Sequence, residues 1–212
     1  GKLLPAVEKK EPKTVILCVG DSVTYGIGAP KGFSYTDYLQ KLFDQNTDGE
    51  SILVVNKGLS GQNAAQLLIM LPTLIRDHKP SIIILESGIA NQWNNYGFGR
   101  YVEKRDNSAR RTNLAKVMPK SQNDILDWVE SDIEEIIDLC NERHIPVILQ
   151  NYPYYDQNMK PVILEMFKGI NLRLEKIAEG KKPIYFVNNA EMFNSMPLDE
   201  RYHYFNHEPG VG

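Results

Sequence analysis

Five short apolar runs recur along the chain, and they constrain its fold more than any other feature of the sequence. The stretches between them carry apolar residues at helical spacing, so strands and helices alternate. Strands that are apolar throughout are typical of parallel sheets covered on both faces. Alternation of this kind requires right-handed βαβ crossovers, so we predict a three-layer α/β/α sandwich with a five-stranded parallel sheet. The five runs are 14–19, 51–56, 81–86, 145–150 and 183–187.

Length and composition agree with one soluble globular domain. The chain has 212 residues, of which 42% are hydrophobic and 24% charged, which is ordinary for such a domain. A net charge of -3 argues against general nucleic-acid binding. No apolar run reaches the roughly 20 residues of a membrane span. We therefore expect a single domain over 14–212.

Residues 1–13 are interpreted as an N-terminal spacer. This stretch is too short and too charged to be an intact signal peptide. It is compatible with a spacer left after a targeting segment or membrane anchor has been removed. That interpretation favours an extracytoplasmic location, whether secreted, periplasmic or anchored, over a cytoplasmic one.

The chain has two cysteines, and neither is placed for chemistry. Cys18 falls inside the first apolar run and Cys140 on the apolar stripe of a later helix, so both are expected to be small core residues. A disulfide is possible but unsupported, and no metal site is predicted. The cysteine count leaves the cellular compartment open.

A hydroxyl follows the first apolar run almost at once, in the sequence Gly20-Asp21-Ser22. Ser22 is thereby placed just past the carboxyl end of a strand, where open α/β sheets bind their ligands. It is a candidate nucleophile. The alternative is that Asp21 and Ser22 serve only as turn and N-cap residues, since both types favour those positions.

The next two strands also end in turns of small or polar residues. Lys57 to Gly61 follow the second run, and Ser87 to Asn91 follow the third. Because the strands are parallel, these turns should meet Ser22 at one edge of the sheet. The sequence therefore predicts a ligand site at that edge.

Residues 92–120 break the rhythm of strands and helices and form a basic insertion. From Phe98 to Lys120 there are seven basic residues against two acidic ones, in a chain that is acidic overall. One interpretation is a solvated insertion. The other is a lid over the pocket whose arginines meet an anionic substrate or surface.

Three motifs at consecutive strand ends resemble the SGNH (GDSL) hydrolase superfamily. They are Gly20-Asp21-Ser22, Asn56-x-Gly58-x-x-Gly61 and the turn that carries Asn91. The resemblance implies a flavodoxin-like strand order and a serine nucleophile, Ser22, that forms an acyl-enzyme intermediate. It also implies an oxyanion hole made by the backbone N–H groups of Ser22 and Gly58 and the side-chain amide of Asn91. Asp21 would tie down the turn, and no cofactor is needed.

The third motif departs from the family's usual Gly-x-Asn-Asp. The chain has Gly88-Ile89-Ala90-Asn91-Gln92, so Asn91 falls one position late when counted from Gly88. Alternatively, Ala90-Asn91 aligns with the Ala-Asn of some members and Ile89 replaces the glycine. We assign Asn91 in either case.

The chain differs more strongly from the family in its general base. The family supplies this base from an Asp-x-x-His motif just before a final helix, and no Asp-x-x-His is present in the sequence. His78 and His144 precede strands and should lie at the wrong end of the sheet, whereas His203 and His207 follow the fifth strand. Glu200 lies three residues before His203, and we assign His203 as the base. Three explanations stay open. The preferred one is that the chain lacks its true C-terminus and that the Asp-x-x-His begins soon after Gly212; the others are that Glu200 with His203, or His207, replaces this motif, and that the protein is a degenerate member that binds without catalysing.

These residues and the resemblance together predict a serine hydrolase that cleaves acyl esters, including O-acetyl esters, of a carbohydrate or lipid. The same serine could instead pass the acyl group to a sugar hydroxyl, as in an O-acyltransferase. A catalytically silent glycan-binding domain is the alternative from another class, and a flavodoxin-like signalling module would need acids beyond Asp21 at the strand ends. Aromatic residues in the exit loops would suit sugar stacking or plain packing; they are Trp93, Tyr96, Tyr152, Tyr154 and Tyr155.

Overall fold

The structure, a computed structural model, describes residues 14–46, 51–94, 121–154, 159–180 and 183–202. The five strands are β1 Thr14–Gly20, β2 Ile52–Gly58, β3 Ile82–Glu86, β4 Val147–Gln150 and β5 Tyr185–Val187. The helices are α1 Ser22–Tyr25, α2 Tyr35–Asn46, α3 Ala64–His78, α4 Gln122–Asn141, α5 Pro161–Ala178, α6 Asn189–Asn194 and α7 Leu198–Tyr202. A 3₁₀ helix, Ile89–Gln92, follows β3.

All five strands are parallel and lie in the order β2-β1-β3-β4-β5. This is the flavodoxin-like order, in which ligands bind where the chain reverses direction across the sheet, here between β1 and β3. Gly20 pairs with Gly58 on one side and with Glu86 on the other. The carboxyl ends of these three strands are therefore level with one another.

Helices cover both faces of the sheet. On one face, α3, α4 and α5 pack on the inward side chains of β1, β3 and β4, and this larger core includes Leu17, Leu85 and Leu149. On the other face, α2 packs on a smaller cluster formed by Ile16, Cys18 and Ile84. The predicted three-layer sandwich with a five-stranded parallel sheet is confirmed.

Two local predictions differ from the structure. The second strand was expected to be buried on both faces, but β2 lies at the sheet edge, where Leu53 remains 43% exposed. A proline in the middle of an apolar helical stripe predicts a kink or a new helix start, yet α3 runs through Pro72 from Ala64 to His78. Burial of Leu67, Leu68 and Leu71 in the preceding turn stabilises the helix and offsets the free-energy cost of the hydrogen bond that the proline cannot donate.

Both cysteines are buried and free. Cys18 belongs to the cluster under α2 and Cys140 to the core under α3, α4 and α5, so the sheet separates them. Within the described ranges, no helix combines the length and apolarity needed to cross a membrane. Most of the basic insertion, from residue 95 to 120, lies outside the described residues, as does the spacer 1–13.

Candidate active site

Ser22 opens the short helix α1 at the carboxyl end of β1 and is half-buried. The preceding residue, Asp21, is fully buried and caps the helix, because its Oδ1 accepts a hydrogen bond of 3.1 Å from the Val23 backbone N–H. Gly26 closes the helix in the left-handed conformation, with φ of 88°, which glycine adopts without steric cost. The prediction that Asp21 ties down this turn is confirmed.

Gly58 ends β2 directly beside the Ser22 helix. A Cβ atom at this position would lie 2.2 Å from the Tyr25 backbone nitrogen and 2.5 Å from the Thr24 carbonyl carbon, so only glycine fits. Its backbone N–H donates to Asn56 Oδ1 at 2.9 Å. The amide expected to meet an oxyanion is therefore engaged by a neighbouring side chain in this structure.

Asn56, the first residue of the second motif, joins three elements. Its Nδ2 donates to the Thr24 carbonyl at 2.8 Å and to Thr36 Oγ1 at 2.9 Å, while its Oδ1 accepts from Gly58. The side chain thus links the end of β2 to α1 and α2. The sequence identified Asn56 as part of the second motif, but it did not indicate that its side chain links these elements.

Asn91 is completely buried in the 3₁₀ helix that follows β3. Its Oδ1 accepts a hydrogen bond of 3.0 Å from the Ala64 backbone N–H at the start of α3. Among the described residues its Nδ2 has no hydrogen-bond partner. The Ala64 contact fixes which end of the amide is the acceptor, so the side chain keeps an unused N–H donor, as an oxyanion hole requires.

Tyr152 is a buried residue that contacts the nucleophile turn, and it is not a surface aromatic. Its side chain is fully buried, and its hydroxyl donates to Asp21 Oδ2 at 2.5 Å. The Ile89 backbone N–H donates to the same hydroxyl at 3.3 Å. The sugar-stacking interpretation is therefore wrong for Tyr152, because no face of its ring reaches solvent.

The other aromatic residues of the exit loops differ in exposure. Trp93 is 59% exposed, and Tyr154 is half-buried with its ring centroid 6.4 Å from that of Phe167. Tyr96 and Tyr155 lie outside the described residues. Trp93 remains available for a ligand.

Two buried carboxyl groups lie under the nucleophile turn. Burial raises the pKa of Asp21 to about 6, and the Tyr152 hydrogen bond opposes that rise. Burial raises the pKa of Glu86, the last residue of β3, well above its usual value, and the Asp21 charge adds to this effect. The sequence places Glu86 at the end of the third strand, but it does not indicate that this carboxyl is buried and interacts with Asp21.

The described residues contain no group of three or more histidine, cysteine, aspartate or glutamate side chains that could hold a metal ion. A cavity of about 300 Å³ adjoins the site at the exits of β1, β3 and β4. Val23, the neighbour of Ser22, lines it, and most of the remaining wall is apolar. The other lining residues are Tyr35, Glu86, Gln150, Pro153, Asn189, Met192, Phe193 and Met196.

Asn151 keeps the chain beyond β5 at the same edge of the sheet. It is fully buried; its Nδ2 donates to Asn188 Oδ1 at 2.7 Å and its Oδ1 accepts from the Ala190 backbone N–H at 3.0 Å. This contact anchors the start of α6. Glu200 lies on the following helix, α7, whereas His203 and His207 lie outside the described residues.

The two remaining histidines lie away from Ser22. His78 is the last residue of α3, just before β3, and His144 lines a depression with Pro146 and Pro183, which precede β4 and β5. Both therefore lie at the amino ends of the strands. The prediction that they are at the wrong end of the sheet is confirmed.

A parallel sheet of this order, with serine, glycine and asparagine at the exits of β1, β2 and β3, is the architecture of the SGNH hydrolases. The family model for GDSL-like lipases and acylhydrolases matches residues 18–207. The chain belongs to this family, a family of carboxylic ester hydrolases. The resemblance stated from the three motifs is thereby confirmed.

Individual relatives are more distant. Esterase TesA of Pseudomonas aeruginosa is 33% identical over 73 residues, a stretch that spans 34% of this chain and 35% of TesA. AlinE4, an SGNH-hydrolase family esterase, superposes with a TM-score of 0.57 at 20% identity over 94% of this chain and 85% of its own. A variant of Axe2, an acetyl-xylooligosaccharide esterase from Geobacillus, gives 0.61 at 20% identity over 87% and 82%. These structures support the fold.

Proposed function

We propose that this protein is a serine esterase that cleaves acyl esters through an acyl-serine intermediate on Ser22. The observation that carries the proposal is Asn91, whose amide oxygen is fixed by the Ala64 N–H and whose buried Nδ2 has no partner among the described residues. An unpaired buried donor costs free energy in the unliganded protein, so its presence calls for an explanation such as ligand binding. Its place on the exit of β3, next to the strand that carries Ser22, supports a role in binding the oxyanion of an attacked ester.

In the proposed reaction, Ser22 Oγ attacks the ester carbonyl and its proton passes to a general base. The base then protonates the leaving alcohol as the carbonyl carbon–alkoxy oxygen bond breaks, and water releases the acyl group by the reverse sequence. His203 is our proposed base, with Glu200 as its orienting carboxylate. Asn91 Nδ2 and the Ser22 backbone N–H are the proposed oxyanion donors, each worth about 3 kcal/mol in the transition state.

The role of Gly58 as an oxyanion donor depends on its present hydrogen bond. Its N–H would join the oxyanion hole only by sharing or leaving its bond to Asn56 Oδ1. The close approach of Gly58 to the α1 backbone supports a second role that does not depend on that N–H. We propose that the main role of Gly58 is to allow the nucleophile turn to pack against β2.

The substrate we propose is an acyl ester, including an O-acetyl ester, of a carbohydrate or lipid. The largely apolar cavity beside Val23 supports binding of an acyl group or an apolar alcohol. Trp93, which is 59% exposed near the same edge, would suit stacking on a sugar ring. The structural neighbour Axe2 is an acetyl-xylooligosaccharide esterase, which supports the carbohydrate ester as the first class to test.

The test is hydrolysis of p-nitrophenyl acetate by the wild type and by Ser22→Ala. We expect the substitution to lower kcat by about 10³- to 10⁶-fold. Ser51→Ala, at the exposed amino end of β2, is the matched control and should keep the wild-type rate. Equal rates for the wild type and Ser22→Ala would remove the proposal.

A further inference from the structure

Tyr152 connects two strand exits through one oxygen atom. Its hydroxyl donates to Asp21 Oδ2 at 2.5 Å at the exit of β1. It accepts from the backbone N–H of Ile89 at 3.3 Å at the exit of β3. Asp21 caps the helix that begins with Ser22, and Ile89 begins the 3₁₀ helix that carries Asn91. The phenol therefore lies between the carriers of the proposed nucleophile and the proposed oxyanion donor.

The tyrosine is itself held on several sides. Its backbone N–H donates to Asn171 Oδ1 at 2.9 Å, and its carbonyl accepts from Asn171 Nδ2 at 2.8 Å. Its ring meets Phe167 edge to face, with centroids 5.9 Å apart. Both partners lie on α5, so the hydroxyl is fixed relative to a long helix rather than to a loop.

The turn that leads into the 3₁₀ helix is closely packed and depends on a glycine. Its N-cap, Gly88, has φ of 135°, in a region of backbone conformation that other residues rarely adopt. A Cβ at Gly88 would lie 2.9 Å from Val129 Cγ1, so the turn is pressed against α4. A hydrogen bond to the Ile89 N–H, the first amide of the 3₁₀ helix, limits how far this turn can shift.

We infer that Tyr152 is a positioning residue that sets the distance between Ser22 and the Asn91 amide. This inference rests on the proposed esterase function. A misplacement of reacting groups by about 1 Å can lower a rate by about 100-fold without weakening substrate binding. The loss expected from removing the hydroxyl is therefore in kcat rather than in KM.

The hydrogen bond from Tyr152 to Asp21 also affects the pKa of the Asp21 carboxyl. Burial raises the pKa of that carboxyl to about 6, and the Tyr152 hydroxyl lowers it from where burial alone would place it. Among the described residues, Glu86 also interacts with Asp21, and Glu86 in turn interacts with the buried Cys18 thiol and Tyr35 phenol. Removing the hydroxyl should therefore raise the pKa of Asp21 further.

The experiment compares Tyr152→Phe with the control Tyr185→Phe. Tyr185 begins β5 at the opposite end of the sheet from Ser22 and is 70% exposed, so removing its hydroxyl leaves the bridge intact. Each variant is assayed for kcat and KM on p-nitrophenyl acetate. The pKa of Asp21 is followed by NMR of its carboxyl carbon, and exchange of the Ile89 amide hydrogen is measured in the same samples.

We expect Tyr152→Phe to lower kcat by about 10- to 100-fold with KM unchanged. The pKa of Asp21 should rise and the Ile89 amide should exchange faster, while Tyr185→Phe behaves as the wild type. A melting temperature lower by about 2–4 °C would accompany the lost hydrogen bonds.

Three results would overturn the inference. If Tyr152→Phe changes the Asp21 pKa or the Ile89 exchange but retains the wild-type kcat, the phenol is only structural and the esterase proposal stands. If both NMR readouts are unchanged, the bridge is absent. A wild type without Ser22-dependent hydrolysis removes the esterase proposal, and the positioning role is overturned with it.

Discussion

Asn91 performs two hydrogen-bonding roles with the two ends of one amide. Its oxygen caps the start of α3 through the Ala64 N–H, and its nitrogen is a buried donor with no partner in the part of the chain that the structure describes. A residue of this kind can be important for stability, for catalysis or for both. A substitution that preserves one end of the amide while changing the other can separate the two roles.

Asn91→Asp makes that separation. The carboxylate keeps an acceptor for the Ala64 N–H but replaces the donor with a second acceptor. We expect kcat for ester hydrolysis to fall about 10²- to 10³-fold, as for loss of an oxyanion donor, in Asn91→Asp and in Asn91→Ala alike. Steady-state kinetics on both variants is the measurement.

The control is Asn46→Asp, at the exposed end of α2, which should keep the wild-type kcat. If Asn91→Asp retained the wild-type kcat while Asn91→Ala lost stability, the amide would be a helix cap alone. The oxyanion assignment would then be wrong.

At the scale of elements, the packing of α1 against the end of β2 places the nucleophile turn. The contact depends on Gly58, since a Cβ there would lie 2.2 Å from a backbone nitrogen. Backbone atoms cannot swing aside as a flexible side chain can. The nucleophile turn and β2 would have to separate to accept any larger residue.

We therefore expect Gly58→Ala to destabilise the protein by about 3 kcal/mol, near the upper end of overpacking costs, and to abolish most esterase activity. The matched control is Gly32→Ala, where a Cβ would meet nothing within 4 Å and only the positive φ of 84° is strained. That variant should lose about 1 kcal/mol and keep its activity. Urea unfolding and the ester assay check both expectations. Similar losses of activity in the two variants would contradict this role for Gly58.

Periodicity was sufficient to predict the strands and the alternation of strands with helices. It failed for the exposure of β2, because edge position depends on which strands become neighbours rather than on the composition of one strand. It also failed to mark Pro72 as tolerated inside α3. Burial of the surrounding helix face decides that outcome, and burial is a tertiary property.

Across the whole molecule, the motifs predicted which strand exits meet but not what joins them. Tyr152 and Asp21 are 131 positions apart, and no local pattern indicates that a phenol from β4 reaches a carboxylate after β1. Glu86 was taken as the end of a strand, and its buried carboxyl near Asp21 was not anticipated. The base, proposed as His203, and the extracytoplasmic location stay predictions.

The central claim is that Ser22 is an activated nucleophile at the meeting point of three strand exits. Its most direct test is reaction of the purified protein with a fluorophosphonate, followed by mass spectrometry of the peptides. Because the reagent forms a stable adduct with activated serines, we predict one adduct on the peptide that contains Ser22 and none in Ser22→Ala. No adduct in the wild type, or an adduct on another residue that persists in Ser22→Ala, would contradict the account.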